Sequence, residues 1–325
     1  MRRLTAFGWA CAALLSISGQ ASAQSEYPSH PIRIVVGFAA GGATDVAARI
    51  LASKMSEELG QTMIVENRPG ASTTIAGETV AKSDPDGYTL FMAGNANAVN
   101  AVAESKLPFD VLRDFAPIGI SVTSPSVLVA HPDSGFKTVA DLVAEAKANP
   151  GKIMYASAGA AAVSHLAGEL FAYEQNVKMT HVPYKGSPPA MTDVLAGRVP
   201  IMFAPISTAL PHIRSGKLIA LAVTYPQRLD DLPNTPTLAE AGIKNFDMSI
   251  WFGLVAPKGT PPDRIAKLGA VMQKTLVRDD VRKALAIQGI VPAIGQGPAA
   301  FTRRMEVDIE KLRAVFAATG MKMSE

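Results

Sequence analysis

The chain has 325 residues, of which 48% are hydrophobic and 18% charged, with a formal net charge of +3 and a single cysteine. Low charge content with abundant Ala, Gly and Pro is typical of a compact α/β protein and argues against disorder. The near-neutral balance, with no cluster of Lys and Arg among aromatic residues, argues against a nucleic-acid-binding protein.

The N-terminus has the pattern of a cleavable export signal. Two arginines at 2–3 precede a short apolar run over 4–17, and Ala-Ser-Ala at 21–23 has the small-x-small form of a signal-peptidase site. We expect a signal peptide over 1–23 and a periplasmic chain of about 300 residues, enough for two lobes. Because Cys11 leaves with the signal, the exported chain is expected to hold no disulfide and no thiolate metal ligand. No other stretch is apolar for long enough to span a membrane.

The first unit of the exported chain is a predicted strand at Ile32–Val36 that leads through small residues into a helix. Thr44 is expected to cap this helix, and Gly60 to end it. Free backbone N–H groups and the positive end of the helix dipole would face the loop, and Gly41 and Gly42 let an anion approach the backbone. The helix has its apolar side at Val46, Ile50, Leu51, Met55 and Leu59.

The same construction returns about a hundred residues later. A predicted strand at 153–156 leads through a loop of small residues at 157–162 into a helix whose apolar stripe is helical in spacing. Two such loops in separate halves of the chain predict two lobes that close on a small anion. The stripe consists of Val163, Leu166, Ala167, Leu170 and Phe171.

Strands alternate with helices along the rest of the chain, which predicts parallel sheets. Three helices near Pro262, Asp280 and Pro298 are expected to finish the chain and to pack back on the first lobe, which makes that lobe discontinuous. The further predicted strands lie at 63–66, 88–92, 126–130, 180–182, 199–203, 218–223 and 251–256, and the further helices at 74–82, 139–148 and 190–196.

The sequence holds no recognisable catalytic or metal-binding pattern. The five histidines have no metal-pair spacing, and Ser164 and His165 are adjacent, so their side chains diverge on a helix. There is no G-x-S-x-G elbow, phosphate-binding P-loop or dinucleotide fingerprint. Asp45 and Arg49 stand at i, i+4 and are interpreted as a structural helix pair. We expect no enzyme activity, cofactor or metal.

Five motifs follow one another along the chain: GFxxGGxxDxxAR at 37–49, ENRPGA at 66–71, PDGYTL at 85–90, HVPYKG at 181–186 and PTxxEAG at 236–242. In this order they resemble the motifs of the Bug receptors, the periplasmic solute-binding proteins of tripartite tricarboxylate transporters. The resemblance implies a two-lobed α/β periplasmic binding protein, a type II-like Venus flytrap with two parallel-rich sheets and a hinge cleft. It also implies a small carboxylate ligand held by backbone amides, hydroxyls and water, and membrane permease subunits as partners.

The sequence departs from the family pattern at three places. Ser72 and Thr73 stand where relatives often have glycines, and add hydroxyl donors beside the first loop. Ala161 and Ala162 replace the usual Gly-Ser of the second loop, which removes a donor. Ala204 stands where many relatives have an aspartate that could pair with a ligand amine, so its absence argues against amino-acid ligands.

We therefore expect a periplasmic, monomeric binding protein that delivers a small mono- or dicarboxylate to a transporter. The predicted lobes are 24–125 with 247–325, and 126–246. A subunit that reports ligand occupancy to a membrane sensor is the alternative, and a periplasmic hydrolase a further one. Phe38 is either a cavity residue or a core aromatic. The expected ligand-binding residues are Phe38, Gly41, Gly42, Thr44, Ser72, Thr73, Ser157 (through its hydroxyl), Gly159, Ala161, Ala162 and Ala204.

Overall fold

A computed structural model describes residues 27–103, 107–160, 162–225, 227–243, 246 and 248–319. The expected signal peptide and the expected ligand contact at Ala161 lie outside these residues. Within them, no helix combines the length and apolar character that crossing a membrane requires.

Strands and helices alternate through most of the chain, with short 3₁₀ turns at Ala71–Thr73 and Pro132–Ser134. In chain order the elements are β1 (Ile32–Val36), α1 (Ala43–Leu59), β2 (Met63–Asn67), α2 (Thr74–Ala81), β3 (Thr89–Gly94), α3 (Asn95–Ala103), β4 (Phe115–Ser124), β5 (Ser126–Ala130), α4 (Val139–Ala148), β6 (Met154–Ser157), α5 (Val163–Glu174), β7 (Thr180–Pro183), α6 (Ser187–Leu195), β8 (Ile201–Pro205), α7 (Ile206–Arg214), β9 (Ile219–Val223), β10 (Ile250–Pro257), α8 (Pro262–Leu276), α9 (Asp279–Ile287), β11 (Val291–Pro292) and α10 (Pro298–Thr319).

The strands form two sheets, one in each lobe. The first has six strands in the order β11-β4-β10-β3-β1-β2, and the second has five in the order β7-β6-β8-β5-β9. The chain leaves the first sheet at the end of β4, forms the whole second sheet, and returns with β10. Two lobes in an α/β chain are thus confirmed.

The expectation of parallel-rich sheets needs a correction, because both sheets are mixed. The pairs β1–β2, β1–β3, β6–β7 and β6–β8 are parallel, whereas β10 and β5 are antiparallel to both of their neighbours. The reason is the crossing between lobes. β10 re-enters the first sheet beside the ends of β3 and β4, and β5, the first strand of the second sheet, begins beside the ends of β8 and β9, so each runs opposite to its neighbours.

Helix α1 illustrates how local sequence sets the first lobe. Its buried side contains Ala47, Leu51 and Met55, and Gly60 ends it in the left-handed conformation (φ 67°) with its N–H bonded to the Ser56 carbonyl. The prediction that Thr44 caps the helix is wrong: the cap position is Gly42, and Thr44 lies inside the first turn. A glycine there leaves the first N–H groups without a side-chain cap.

The C-terminal helix α10 packs on the first lobe, as the sequence predicts. Phe301 meets the ring of the fully buried Trp251 edge-to-face, with 5.2 Å between ring centroids. A Cβ at Gly253 on β10 would lie 2.7 Å from the Phe301 ring and 2.5 Å from the Gly119 carbonyl oxygen, so this close packing requires glycine. Helix α10 thereby holds β10, the strand with which the chain re-enters the first sheet, in position.

Candidate functional site

An inner cavity of about 50 Å³ lies between the two lobes. It continues past Phe38, Thr73 and Ala158 into an open outer mouth of about 440 Å³. The first lobe lines the inner cavity with Phe38, Gly42, Ala43, Thr44, Thr73, Met92, Gly94, Asn95, Ala96, Asn97, Ile250 and Phe252. The second lobe lines it with Ala158, Ala162, Val163, Ser164, Ser187 and Pro205.

Helix N-termini from both lobes converge on the inner cavity. Helix α1 contributes its first turn at Ala43, α3 begins at Asn95, α5 begins at Val163, and α6 begins at Ser187. The caps of α1, α5 and α6 make no side-chain hydrogen bond, so their first backbone N–H groups have no side-chain acceptor. Each helix N-terminus carries roughly half a positive charge, so the cavity favours an anion. No charged side chain appears among the lining residues that the structure describes.

Three buried hydroxyl groups can donate into this cavity. Within the part of the chain that the structure describes, the Thr44 and Ser187 hydroxyls make no hydrogen bond, although the residues are only 4% and 6% exposed. The Ser164 oxygen accepts the Ala158 N–H at 3.0 Å, which leaves its own proton available. A ligand oxygen in the cavity can accept hydrogen bonds from these hydroxyls.

The loop between β1 and α1 is held by the buried carboxylate of Asp45. Its oxygens accept the Gly41 N–H and the Arg49 Nε–H, both at 2.9 Å, and the Asn67 amide at 2.9 Å. The same amide donates to the Phe38 carbonyl at 3.0 Å. Burial raises the pKa of Asp45, but the hydrogen bonds from Arg49, Gly41 and Asn67 outweigh burial and hold the pKa below its ordinary value. The structure thus confirms the Asp45–Arg49 pair as structural.

The turn after β2 is strained and is supported by asparagines of α3. Ser72 and Thr73 adopt positive φ angles of 48° and 82°. The Asn97 amide donates to the Thr73 hydroxyl at 3.3 Å, and the Asn100 amide donates to the Ser72 carbonyl at 2.8 Å. The structure places Thr73 in the inner cavity and the mouth, and Ser72 in the mouth alone.

Sequence reasoning missed helix α3 and with it the polar side chains of Asn95 and Asn97, which line the inner cavity. The segment Asn-Ala-Asn-Ala-Val-Asn follows a strand directly, without a loop of small residues. The only signal available was the repetition of asparagine after the third strand.

A buried pair of histidines supports the second-lobe loop. The rings of His165 and His181 stack with centroids 3.6 Å apart and an angle of 3° between planes. His181 Nε2 lies 2.6 Å from the Ser157 hydroxyl, and His165 Nδ1 donates to the Ala160 carbonyl at 2.5 Å. Burial, with the neighbouring His165, lowers the pKa of His181 to about 3, and burial also lowers the pKa of His165. Both rings are therefore neutral at pH 7.

The lobes touch directly around the cavity, so the structure shows the closed arrangement. The Ala39 N–H donates to the Lys185 carbonyl at 3.1 Å across the cleft. A Cβ at Gly186 would lie 3.0 Å from the Ala39 Cβ, and Pro188 lies against Gly41 and Gly42. Small residues on both sides make this approach possible.

The structure separates the expected ligand-binding residues into groups. Phe38, Gly42, Thr44, Thr73 and Ala162 line the inner cavity, and Ser72 and Gly159 line the mouth. Two others serve the loops instead: the Gly41 N–H is bonded to Asp45, and the fully buried Ser157 hydroxyl is bonded to His181 and Gly159.

The structure places Ala204 away from the cavity, in the core of the second lobe. It is fully buried among apolar residues such as Val127 and Met202, while its neighbour Pro205 lines the cavity. Successive residues of a strand point to opposite faces, so a one-position difference moves the side chain from the cleft to the core.

Among the residues with described positions, no group of three His, Asp or Glu side chains is arranged to hold a metal ion. Two lobes that enclose a cavity lined by helix N-termini are the architecture of a periplasmic binding protein. A sequence model of the tripartite tricarboxylate transporter family receptor matches residues 47–312, and the chain belongs to this family.

Known proteins are similar to this chain over nearly its whole length. Protein BugT of Bordetella pertussis is 37% identical over 99% of each chain. The solved periplasmic binding protein BugD is 34% identical with a TM-score of 0.88, over 91% of this chain and 99% of its own. A structure from R. palustris, solved with adipate, is 32% identical with a TM-score of 0.88 over the same shares of the two chains.

Proposed function

We propose that this protein is a periplasmic receptor that captures a small carboxylate between its lobes and delivers it to membrane permease subunits. The observation that carries the proposal is the set of donors that line the inner cavity: the Thr44 and Ser187 hydroxyls and the uncapped N-termini of α1, α5 and α6. Family membership and the adipate-bound relative support it.

The donors come from both lobes, which couples binding to closure. Thr44 belongs to the first lobe, whereas Ser164 and Ser187 belong to the second. A carboxylate that bridges them favours the closed arrangement by its differential affinity for that arrangement. The permease would then distinguish the loaded receptor by its closed shape.

Export and lobe division are part of the same proposal. The signal-like segment 1–23 supports periplasmic export of a monomeric binding protein without enzyme activity. The division into 24–125 with 247–325 and 126–246 is supported by the composition of the two sheets, since β4 ends at Ser124 and β10 begins at Ile250.

A thermal-shift panel tests the carboxylate proposal. Linear monocarboxylates, dicarboxylates and aromatic carboxylates are compared with neutral sugars and with the primary amides of the same acids. At about 100 times Kd, a ligand adds about 2.7 kcal/mol of stability, which raises the Tm by several degrees. A Tm increase with sugars or amides alone would show that the anion site has been misassigned. As a control, Thr44→Val should reduce the increase with carboxylates.

A further inference from the structure

A second cavity, of about 60 Å³, lies beside the inner cavity and is also enclosed by both lobes. We call it the rear chamber. Its walls are α3 and α10 of the first lobe, α5 of the second lobe, and Met248 and Ser249 just before β10. Among the lining residues that the structure describes, Asn95 and Val163 are the two that line both cavities. These two residues therefore form a partition between the inner cavity and the rear chamber, one from each lobe.

Hydrogen bonds hold the side chain of Asn95 in this partition. Its amide nitrogen donates to the Ser249 carbonyl at 3.4 Å and to the Asp308 carboxylate at 3.3 Å, and both acceptors belong to residues of the rear chamber. Its amide oxygen accepts the Trp251 N–H at 2.7 Å. A ligand that extends past the first residue of α3 thus meets a side chain that is fixed by three hydrogen bonds.

Val163 forms the other half of the partition. It is the first residue of α5 and is only 7% exposed. A β-branched side chain in a helix is restricted to one preferred rotamer, so Val163 has little freedom to move aside. Because Asn95 and Val163 belong to different lobes, closure of the lobes brings the two halves of the partition together.

The rear chamber itself can accommodate an aliphatic chain with an anionic end. Leu166 and Leu170 of α5 give it an apolar side. On α10, Arg304 pairs with Asp308 at 3.0 Å, and Lys311 lies one turn further along, so these three side chains carry a net charge of +1. The partition therefore limits the length of the ligand and does not select against its charge.

We propose that Asn95, together with Val163, sets the maximum length of the carboxylate that the receptor accepts. Acids that fill the inner cavity bind, whereas longer acids meet the partition and prevent the lobes from closing. Removal of the Asn95 side chain joins the two cavities and admits longer acids. This inference rests on the proposed function and identifies the residues that limit the length of its substrates.

Calorimetric titration of the full exported chain with two homologous series tests this inference. The series are the unbranched monocarboxylates from butanoate to decanoate and the α,ω-dicarboxylates from succinate to sebacate. In the wild type, we expect acids two or more methylenes longer than the best-fitting member to bind at least tenfold more weakly, because the partition leaves no space for them. In Asn95→Ala this decrease should fall below about threefold.

Three outcomes would count against the proposals. A wild-type protein without a length limit would overturn the inference and leave the proposed function standing, and so would a folded Asn95→Ala protein with the wild-type limit. Binding of no acid from either series would contradict the proposed function as well.

Two further variants separate the partition from a general loosening of the cleft. Val163→Ala opens the partition from the second lobe without removing a hydrogen bond, so it should weaken the length limit even if loss of the Trp251 acceptor prevents Asn95→Ala from folding. Leu170→Ala enlarges the rear chamber alone and should keep the wild-type limit. An unchanged limit in Val163→Ala, or an equal change in Leu170→Ala, would contradict the inference.

Lys311 shows whether the longer acids enter the rear chamber. In the Asn95→Ala background, the added substitution Lys311→Gln should weaken binding of a long dicarboxylate at least threefold, because the second carboxylate loses a nearby cation. Binding of the monocarboxylate of the same chain length should stay within about twofold. Unchanged binding of both acids would place the longer chain outside the rear chamber and would overturn the inference.

Discussion

His165 and His181 form a parallel stack with their ring centroids 3.6 Å apart, directly behind the loop that contributes Ala158 to the cavity. His181 contacts Ser157 at one end of that loop, and His165 contacts the Ala160 carbonyl in its middle. Glu169 lies 3.8 Å from His165 Nε2 and accepts the Tyr155 hydroxyl, and Tyr155 lies against both histidine rings. Neutral histidines therefore support the shape of the second-lobe loop.

This stack predicts a loss of stability in mild acid. The pKa of His181 is lowered to about 3 by burial and by His165, against about 6.5 in the unfolded chain. The unfolded state thus binds more protons, and the free energy of unfolding falls as the pH drops below 6.5 toward the folded pKa. Between pH 7.5 and 5.5 we expect His181 to contribute about 1 kcal/mol of this loss, reduced for its partial exposure. Urea unfolding at both pH values measures it.

His181→Asn is the matched variant for that experiment. It should be less stable than the wild type at pH 7.5 but should lose less stability between pH 7.5 and 5.5. The window lies above the range in which carboxylates such as Asp45, with lowered pKa, lose their contribution. An unchanged pH dependence in the variant would mean that the stack does not exclude protons.

The hydrogen bonds of Asp45 predict that removing its carboxylate lowers both the stability and the ligand affinity of the protein. Asp45→Ala leaves the Gly41 N–H, the Asn67 amide and the Arg49 guanidinium without their shared acceptor. We expect a decrease of about 2 kcal/mol in the free energy of unfolding and at least tenfold weaker carboxylate binding. Glu78→Ala removes an exposed i, i+4 partner of Lys82 and should cost less than about 0.5 kcal/mol without changing affinity.

Gly42 predicts a specific effect on lobe closure. A Cβ there would lie 3.5 Å from the Ala39 carbonyl oxygen and 3.6 Å from Pro188 of the other lobe, so the branches of a valine would extend into the cleft. Gly42→Val should weaken carboxylate binding at least tenfold, while the apo protein keeps a Tm close to wild type. Gly297→Val is the control, since a Cβ there meets nothing within 4 Å. Wild-type affinity in Gly42→Val would remove this loop from the site.

The buried position of Ala204 predicts a folding defect rather than a change of specificity. Ala204→Asp would bury a carboxylate among apolar side chains, and we expect a loss of more than about 3 kcal/mol, measured by urea unfolding of the apo protein. Ala266→Asp, on the exposed side of α8, should cost less than about 1 kcal/mol. A stable Ala204→Asp protein would mean that position 204 reaches the cleft.

Much of the fold could be predicted because its elements have strong local signals. The strand at Ile32–Val36, the helix that Gly60 ends and the amphipathic helix at Val163–Glu174 all follow from periodicity and small residues. Long-range features could not be predicted in this way. The direction of β10 depends on where the chain re-enters the sheet, which no local pattern encodes.

In the candidate site, too, features set by local sequence could be predicted, whereas features set by contacts between distant residues could not. The two small-residue loops were identified, and their glycines do allow the lobes to meet. The engagement of Gly41 by Asp45 and of Ser157 by His181 depends on contacts between side chains and loops that only the fold brings together. The register of β8 decides that Pro205, and not Ala204, faces the cavity.

The most direct test of the account is a calorimetric comparison, at pH 7.5, of the tightest carboxylate from the thermal-shift panel with its own primary amide. The two molecules share their shape and differ in the charge that the helix N-termini and the Thr44, Ser164 and Ser187 donors are proposed to hold. The account predicts that the carboxylate binds at least a hundredfold more tightly, about 2.7 kcal/mol in binding free energy. An amide that binds as tightly as the acid would contradict it.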